Sequence, residues 1–142
     1  MSSSVKQILA GKPSGLVSIA PDDTLDSALR MMVERNIGVL PVCEGDALVG
    51  ILSERDFLRR VLYKGVSLES EVREVMTEKI STVNSSESIQ RCMELMTELR
   101  VRHLPVVDAG KLIGILSIGD VVRVTVDDQK AMIEQLESYI RA

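Results

Sequence analysis

The sequence is poor in the side chains that most often carry recognition or catalysis. Its 142 residues include no Trp, two Tyr and one Phe, so aromatics make up only 2%. Single-stranded nucleic acids are usually held on aromatic stacking platforms, and this composition offers almost none. Histidine occurs once, as His103. That count excludes a multi-histidine metal cluster and any two-histidine catalytic scheme. Cys43 and Cys92 lie far apart and form no CxxC, so they read as small buried hydrophobes in a reducing compartment. The formal net charge is −4. No global positive field draws in nucleic acid or anionic lipid, and any anion site must be local. No apolar run approaches the roughly 20 residues of a membrane span. The opening Met1-Ser2-Ser3-Ser4-Val5-Lys6 has no signal-like apolar stretch, so the expected location is cytoplasmic, with no membrane partner. HExxH, GxSxG and Walker A motifs are all missing, which argues against an enzyme.

Against these gaps stands a 45% hydrophobic content. A chain of this length can bury an aliphatic core of Val, Ile, Leu and Met without disulfides or metals. It also repeats itself. Residues 17–61 align on residues 81–125 without a gap, each position n matching n + 64. Leu40-Pro41-Val42 matches Leu104-Pro105-Val106, and Gly50-Ile51-Leu52-Ser53 matches Gly114-Ile115-Leu116-Ser117. Asp56 matches Asp120, and Arg59 matches Arg123. Upstream, Val5-Lys6-Gln7-Ile8-Leu9 resembles Val72-Arg73-Glu74-Val75-Met76 if three residues are inserted in the first copy. Two copies of this period suit a duplicated half-domain better than a solenoid.

Each copy yields the same elements. Leu25, Ala28, Leu29, Met32 and Val33 form an apolar helix stripe, as do Ile89, Cys92, Met93 and Met96. Pro21-Asp22-Asp23-Thr24 and the Ser85, Ser86, Ser88 cluster supply N-cap chemistry. Apolar runs around Glu44-Gly45-Asp46 and Asp108-Ala109-Gly110 predict hairpins. A second helix follows each hairpin, at 54–63 and from 118 to about 126, and a short strand precedes each first helix, at 16–20 and 81–84. A single β-α-β-β-α unit is too small to bury its sheet face alone, so two should pack sheet to sheet with helices outside. The expected architecture is α/β (α+β), a pseudo-twofold tandem of two such units. The units span 5–63 and 72–126, with a linker at 64–71. Residues 127–142 form an amphipathic C-terminal helix, with Met132, Ile133, Leu136 and Ile140 on one side. That stripe either packs on its own module or meets a second copy.

Gly50-Ile51-Leu52-Ser53-Glu54-Arg55-Asp56 and Gly114-Ile115-Leu116-Ser117-Ile118-Gly119-Asp120 share one pattern: glycine, apolar, any, Ser/Thr, any, any, Asp. Each follows a Leu-Pro-Val strand. Over roughly residues 5 to 126 the chain resembles a tandem CBS-domain protein, or Bateman module. Its wording around Arg102-His103-Leu104-Pro105-Val106 is similar to small stand-alone CBS pairs of bacteria and plant organelles. The resemblance implies a non-catalytic sensor without a catalytic cofactor. It would bind AMP, ADP, ATP or NAD(H), with S-adenosylmethionine ranked behind them, in clefts between the two copies. It further implies a disc-like homodimer of CBS pairs and a regulated partner protein.

The candidate contacts follow from that resemblance and from side-chain chemistry. Asp56 and Asp120 would accept both hydroxyls of a ribose, although an acid in a first turn also complements the helix dipole. Ser53 and Ser117 would cap their helices and offer a hydroxyl and free N–H groups to phosphate. The N–H groups at Ile118 and Gly119 belong to the same helix start. Arg55 offers a bidentate guanidinium, or is simply an exposed helix-start residue. Arg102 and His103 stand where the first copy has Gly38 and Val39, and strand alternation points one to the cleft and the other to solvent. By resemblance the adenine pocket is flanked by Ser18, Ile19, Ala20 and Val39 with Leu40 and Pro41, and by Thr82 and Val83 with Leu104 and Pro105. Most atoms of these apolar residues are also plain core strand. No metal site is expected.

Overall fold

The structure, a computed structural model, describes residues 3–12 and 16–141. Its helices are α1 (Val5–Ala10), α2 (Leu25–Arg35), α3 (Glu54–Asp56), α4 (Ile89–Leu99) and α5 (Ile118–Arg141), and its strands are β1 (Val39–Glu44), β2 (Ala47–Ser53), β3 (His103–Asp108) and β4 (Lys111–Ser117). α3 runs on into a π-helical stretch, Phe57–Tyr63, and Val72–Glu74 forms a short 3-10 turn.

The chain divides into two compact units whose boundaries differ from those of the sequence repeat. One comprises Gly15–Ser81 with Ala109–Leu112; the other comprises Met1–Ser14, Thr82–Asp108 and Ile113–Ala142. In the first, the buried cluster is Ile19, Leu25, Ala28, Met32, Leu40, Val42, Leu52, Phe57, Val72 and Val75. In the second it is Val83, Ile89, Cys92, Met96, Leu104, Val106, Leu116, Val121, Val5 and Ile8. Written in this order the two lists correspond residue by residue. The last two members of each come from the segment upstream of the other copy. Val72 and Val75 complete the first copy's core, and Val5 and Ile8 complete the second's.

Local chemistry recurs with the same fidelity. Thr24 and Ser88 cap α2 and α4 by accepting from the N–H groups of Ser27 and Arg91. Both helices end on a left-handed residue, Asn36 and Arg100. β1 and β2 pair antiparallel with Leu40 opposite Leu52 and a bulge at Val42/Cys43. β3 and β4 pair in the equivalent hairpin.

Three expectations are revised. The strands predicted at 16–20 and 81–84 shrink to one bridged residue each. Ile19 N–H donates to Pro41 O (3.0 Å) and its carbonyl accepts from Cys43 N–H (2.8 Å). Val83 repeats this with Pro105 O (3.0 Å) and Val107 N–H (2.8 Å). The chain turns away immediately afterwards, at Ala20-Pro21 and at Asn84, so the ladders go no further. The helices placed at 118–126 and 127–142 are one continuous helix over the described residues, Ile118–Arg141, because no Gly or Pro follows Gly119 to break it. Arg102 lies in a bend before β3, so strand alternation does not set its direction.

The motif glycines have a packing reason. A Cβ on Gly50 would stand 2.5 Å from Met76 Sδ, and one on Gly114 would stand 2.6 Å from Leu9 Cδ2. Leu9 and Met76 are equivalent residues of the upstream segments, so each glycine is the seat of its core's closing segment. Gly114→Ala should therefore destabilise the protein by about 1–3 kcal/mol through overpacking. In a Leu9→Ala background the same change should cost distinctly less, a non-additivity that denaturant unfolding of the four chains would measure.

Candidate functional site

Each motif sits where a β-strand hands over to a helix, and the structure shows why serine and aspartate are spaced by three. Ser53 N–H donates to Asp56 Oδ2 (2.8 Å), and Asp56 N–H donates back to Ser53 Oγ (3.3 Å). Ser117 N–H donates to Asp120 Oδ2 (3.0 Å), and Asp120 N–H returns to Ser117 Oγ (3.1 Å). This is a reciprocal capping box with Asp in the place usually taken by Glu. The preceding loop is fixed in register too. Glu54 N–H donates to Gly38 O (3.1 Å) and Ile118 N–H to Arg102 O (2.8 Å).

The caps commit one carboxylate oxygen and leave the other more open. Among the described residues, Asp56 Oδ1 meets Thr77 Oγ1 at 3.4 Å, and Asp120 Oδ1 meets only the guanidinium of Arg123 at 3.8 Å. The two sites then diverge. Lys12 Nζ lies 2.7 Å from Asp120 Oδ2 and also donates to the Ile115 carbonyl at 2.7 Å. The counterpart of Lys12 in the alignment of upstream segments is Lys79, which is exposed and forms no ion pair among the described residues. Asp120 is buried, with its side chain 11% exposed, while Asp56 is half-buried.

Burial pushes the Asp120 carboxyl upward. Hydrogen bonds from Lys12 and from Ser117, with the charge of Lys12, outweigh it and hold the group below its ordinary value of 3.8. The two thiols go the other way. Burial raises both Cys43 and Cys92 and keeps them protonated, unsuited to nucleophilic attack.

The other sequence candidates divide by what remains available to a ligand. Ile19, Val83, Leu40, Leu104, Pro41 and Pro105 are buried. The backbone groups of Ile19 and Val83 and the carbonyls of Pro41 and Pro105 are already spent in the parallel bridges. Ala20 N–H is taken by Asp23 Oδ2 at 3.0 Å. Ser18, Thr82, Arg55, Arg102, Ile118 and Gly119 are exposed, and Val39 and His103 are half-buried. Lys12 and Thr77 are the neighbours of the motif carboxylates that sequence reasoning missed. Extending the upstream alignment past Leu9 and Met76 would have reached both. No group of three or more His, Cys, Asp or Glu side chains suited to a metal exists among the described residues.

A family model for the CBS domain matches residues 5–63 and 72–127, most of the chain. The chain belongs to the CBS-domain family. It is similar to the Arabidopsis thaliana CBS domain-containing protein CBSX3, mitochondrial, at 41% identity over 84% of this chain, spanning 61% of that relative's length. A solved structure of a putative signal-transduction protein with CBS domains from Burkholderia ambifaria superposes with a TM-score of 0.81 at 44% identity, covering 89% of this chain and 96% of that one. The crystal structure of CBSX2 in complex with AMP superposes with a TM-score of 0.76 at 31% identity, covering 90% and 99%. Among the described residues of this CBS pair, no helix is long and apolar enough to cross a membrane.

The Lys12–Asp120 pair has a measurable signature. The Asp120 carboxyl is held low, so it contributes stability above about pH 4, and that contribution is lost as pH falls through its folded-state value. Lys12→Met should move the Asp120 carboxyl upward, toward its unfolded-state value, and so shrink the stability lost on acidification. Carboxyl-carbon NMR titration of both chains would show it, and identical titration curves would mean the pair does not form.

Proposed function

We propose that this CBS pair is a non-catalytic regulatory module that binds adenosine-containing ligands (AMP, ADP, ATP or NAD(H)) and passes its occupancy to a partner protein. The observation that carries the reading is the twice-built capping box, which holds a carboxylate at a helix start with one oxygen lightly engaged. A rigid carboxylate of this kind accepts hydrogen bonds from vicinal ribose hydroxyls, and the adjoining N–H groups and Ser hydroxyl suit a phosphate. Asp120 and Asp56 are assigned to ribose, and Ser117, Ser53, Arg102, His103 and Arg55 to the phosphate side. Thr82 and Ser18 have exposed polar groups for the base. The AMP complex of CBSX2, a relative at 31% identity, supports the ligand class.

At Asp120 a ribose must share the carboxylate with Lys12, whereas at Asp56 it competes only with a long contact from Thr77. The two sites are therefore unequal. The buried, fixed Asp120 is assigned the stronger ribose contact, because its geometry is better defined before binding.

The capping boxes also support a second reading, an adaptor that keeps Ser and Asp only to hold its helices. Thermal unfolding with AMP, ADP, ATP, NADH and S-adenosylmethionine separates the two. A ligand at ~100 times its dissociation constant adds roughly 2.7 kcal/mol, which is readily seen as a rise in Tm. A rise with at least one adenosine ligand is expected, weakened more by Asp120→Ala than by Asp56→Ala. No shift with any of the five would leave the adaptor. Turnover of AMP, ADP or ATP in the presence of Mg²⁺ would overturn the non-catalytic assignment.

A further inference from the structure

α5 serves two different environments along its length. Its first half packs on its own unit: Val121 is buried, Val124 lies against the core cluster and Thr125 Oγ1 reaches Met93 Sδ at 3.5 Å. Asp128 is the last anchored residue, accepting from Ser3 N–H (3.1 Å) and Ser3 Oγ (3.0 Å). From Gln129 to Arg141 every residue is exposed. That is about 20 Å of helix at 1.5 Å per residue. A helix of this length is marginal in water unless its apolar face is covered.

The exposed face carries a specific pattern. Val122, Val126, Gln129, Ile133, Leu136 and Ile140 are separated by 4, 3, 4, 3 and 4 residues, the spacing of a coiled-coil seam. Taking Val126, Ile133 and Ile140 as the a positions puts Val122, Gln129 and Leu136 at d. The flanks differ. Lys130 and Glu137 fall at e on one side, and Met132 and Tyr139 at g on the other.

We propose that this segment pairs antiparallel with the same segment of a second copy of the chain. Charge complementarity decides the orientation. In a parallel pair, g faces e, which sets Met132 beside Glu137 of the second copy and leaves Lys130 against Thr125. In an antiparallel pair, e faces e and g faces g. Lys130 then meets Glu137 of the second copy, the twofold repeats that ion pair, and Met132 packs toward Tyr139 on the other flank. Register follows from the same rule. With Ile133 opposite Leu136, both ion pairs form. A slip of one heptad sets Lys130, or in the other direction Glu137, against its own counterpart, which is unfavourable. The pairing does not depend on nucleotide binding.

Two measurements on the full-length chain test it. An equimolar mixture of Lys130→Cys and Glu137→Cys chains, oxidised under equilibrating conditions and mapped by peptide mass, should give mainly the mixed 130–137 disulfide. Predominance of 130–130 or 137–137 disulfides would mean a slipped pair, and absence of any intermolecular disulfide at these positions would mean a parallel pair or none. Both overturn the proposal. By sedimentation of the otherwise unaltered chain, Lys130→Glu should weaken self-association about tenfold by turning two attractions into two repulsions, and Lys130→Glu/Glu137→Lys should restore it. A single variant without effect, or a double variant as weak as the single, overturns the antiparallel register.

Discussion

Each of the two cores is closed by a short apolar segment that precedes the other repeat. Val72 and Val75 cover the first copy's cluster, while Val5 and Ile8 cover the second's. The neighbouring Met76 and Leu9 press onto Gly50 and Gly114, which is why the motif strands carry glycine at that point. The motif glycine and the motif aspartate are thus joined by one constraint. The segment that seats on the glycine continues directly to the side chain that touches the carboxylate, Thr77 in one copy and Lys12 in the other. Core closure and the electrostatics of the candidate site are two ends of the same stretch of chain.

The Ser-x-x-Asp spacing serves structure first. Its capping box satisfies orphan N–H groups at a strand-to-helix junction, and any chemistry uses what the cap leaves over. Retention of the pair in both copies therefore says little by itself about which copy binds more tightly. The difference lies outside the motif: a lysine on one carboxylate and a threonine near the other, and a half-buried histidine on one strand start where the other copy has valine.

Much of this fold is legible in the sequence because the repeat lets every pattern be read twice. The helix stripes, the N-cap residues and the hairpins all recur at the same offset. The heptapeptides identify the strand-to-helix junctions as well. The sequence leaves open which core receives Val5 and Ile8, because an apolar i, i+3 pair carries no address. Lys12 escapes for a related reason. It lies in the stretch where the copies differ by three residues, and a lysine's reach depends on where the chain turns. The first strands were overread because a β-rich run looks the same whether it makes one ladder rung or five. The boundary expected near residue 127 has no breaker behind it, since nothing in Asp127-Asp128-Gln129 interrupts a helix.

The exchange of closing segments also sets an order of events during synthesis. The first core draws on residues from Ile19 to Val75, so it is complete in sequence as soon as that stretch has left the ribosome. The second needs Val5 together with Val121, 116 positions later by subtraction. At a bacterial or eukaryotic pace of about 5–20 residues per second, the apolar turn carrying Val5 and Ile8 waits roughly 6 to 23 s for its partners. For the last part of that interval, once Val75 has emerged, a completed first core stands beside a turn whose own core is still unmade. A turn made early is thus among the last to find its place.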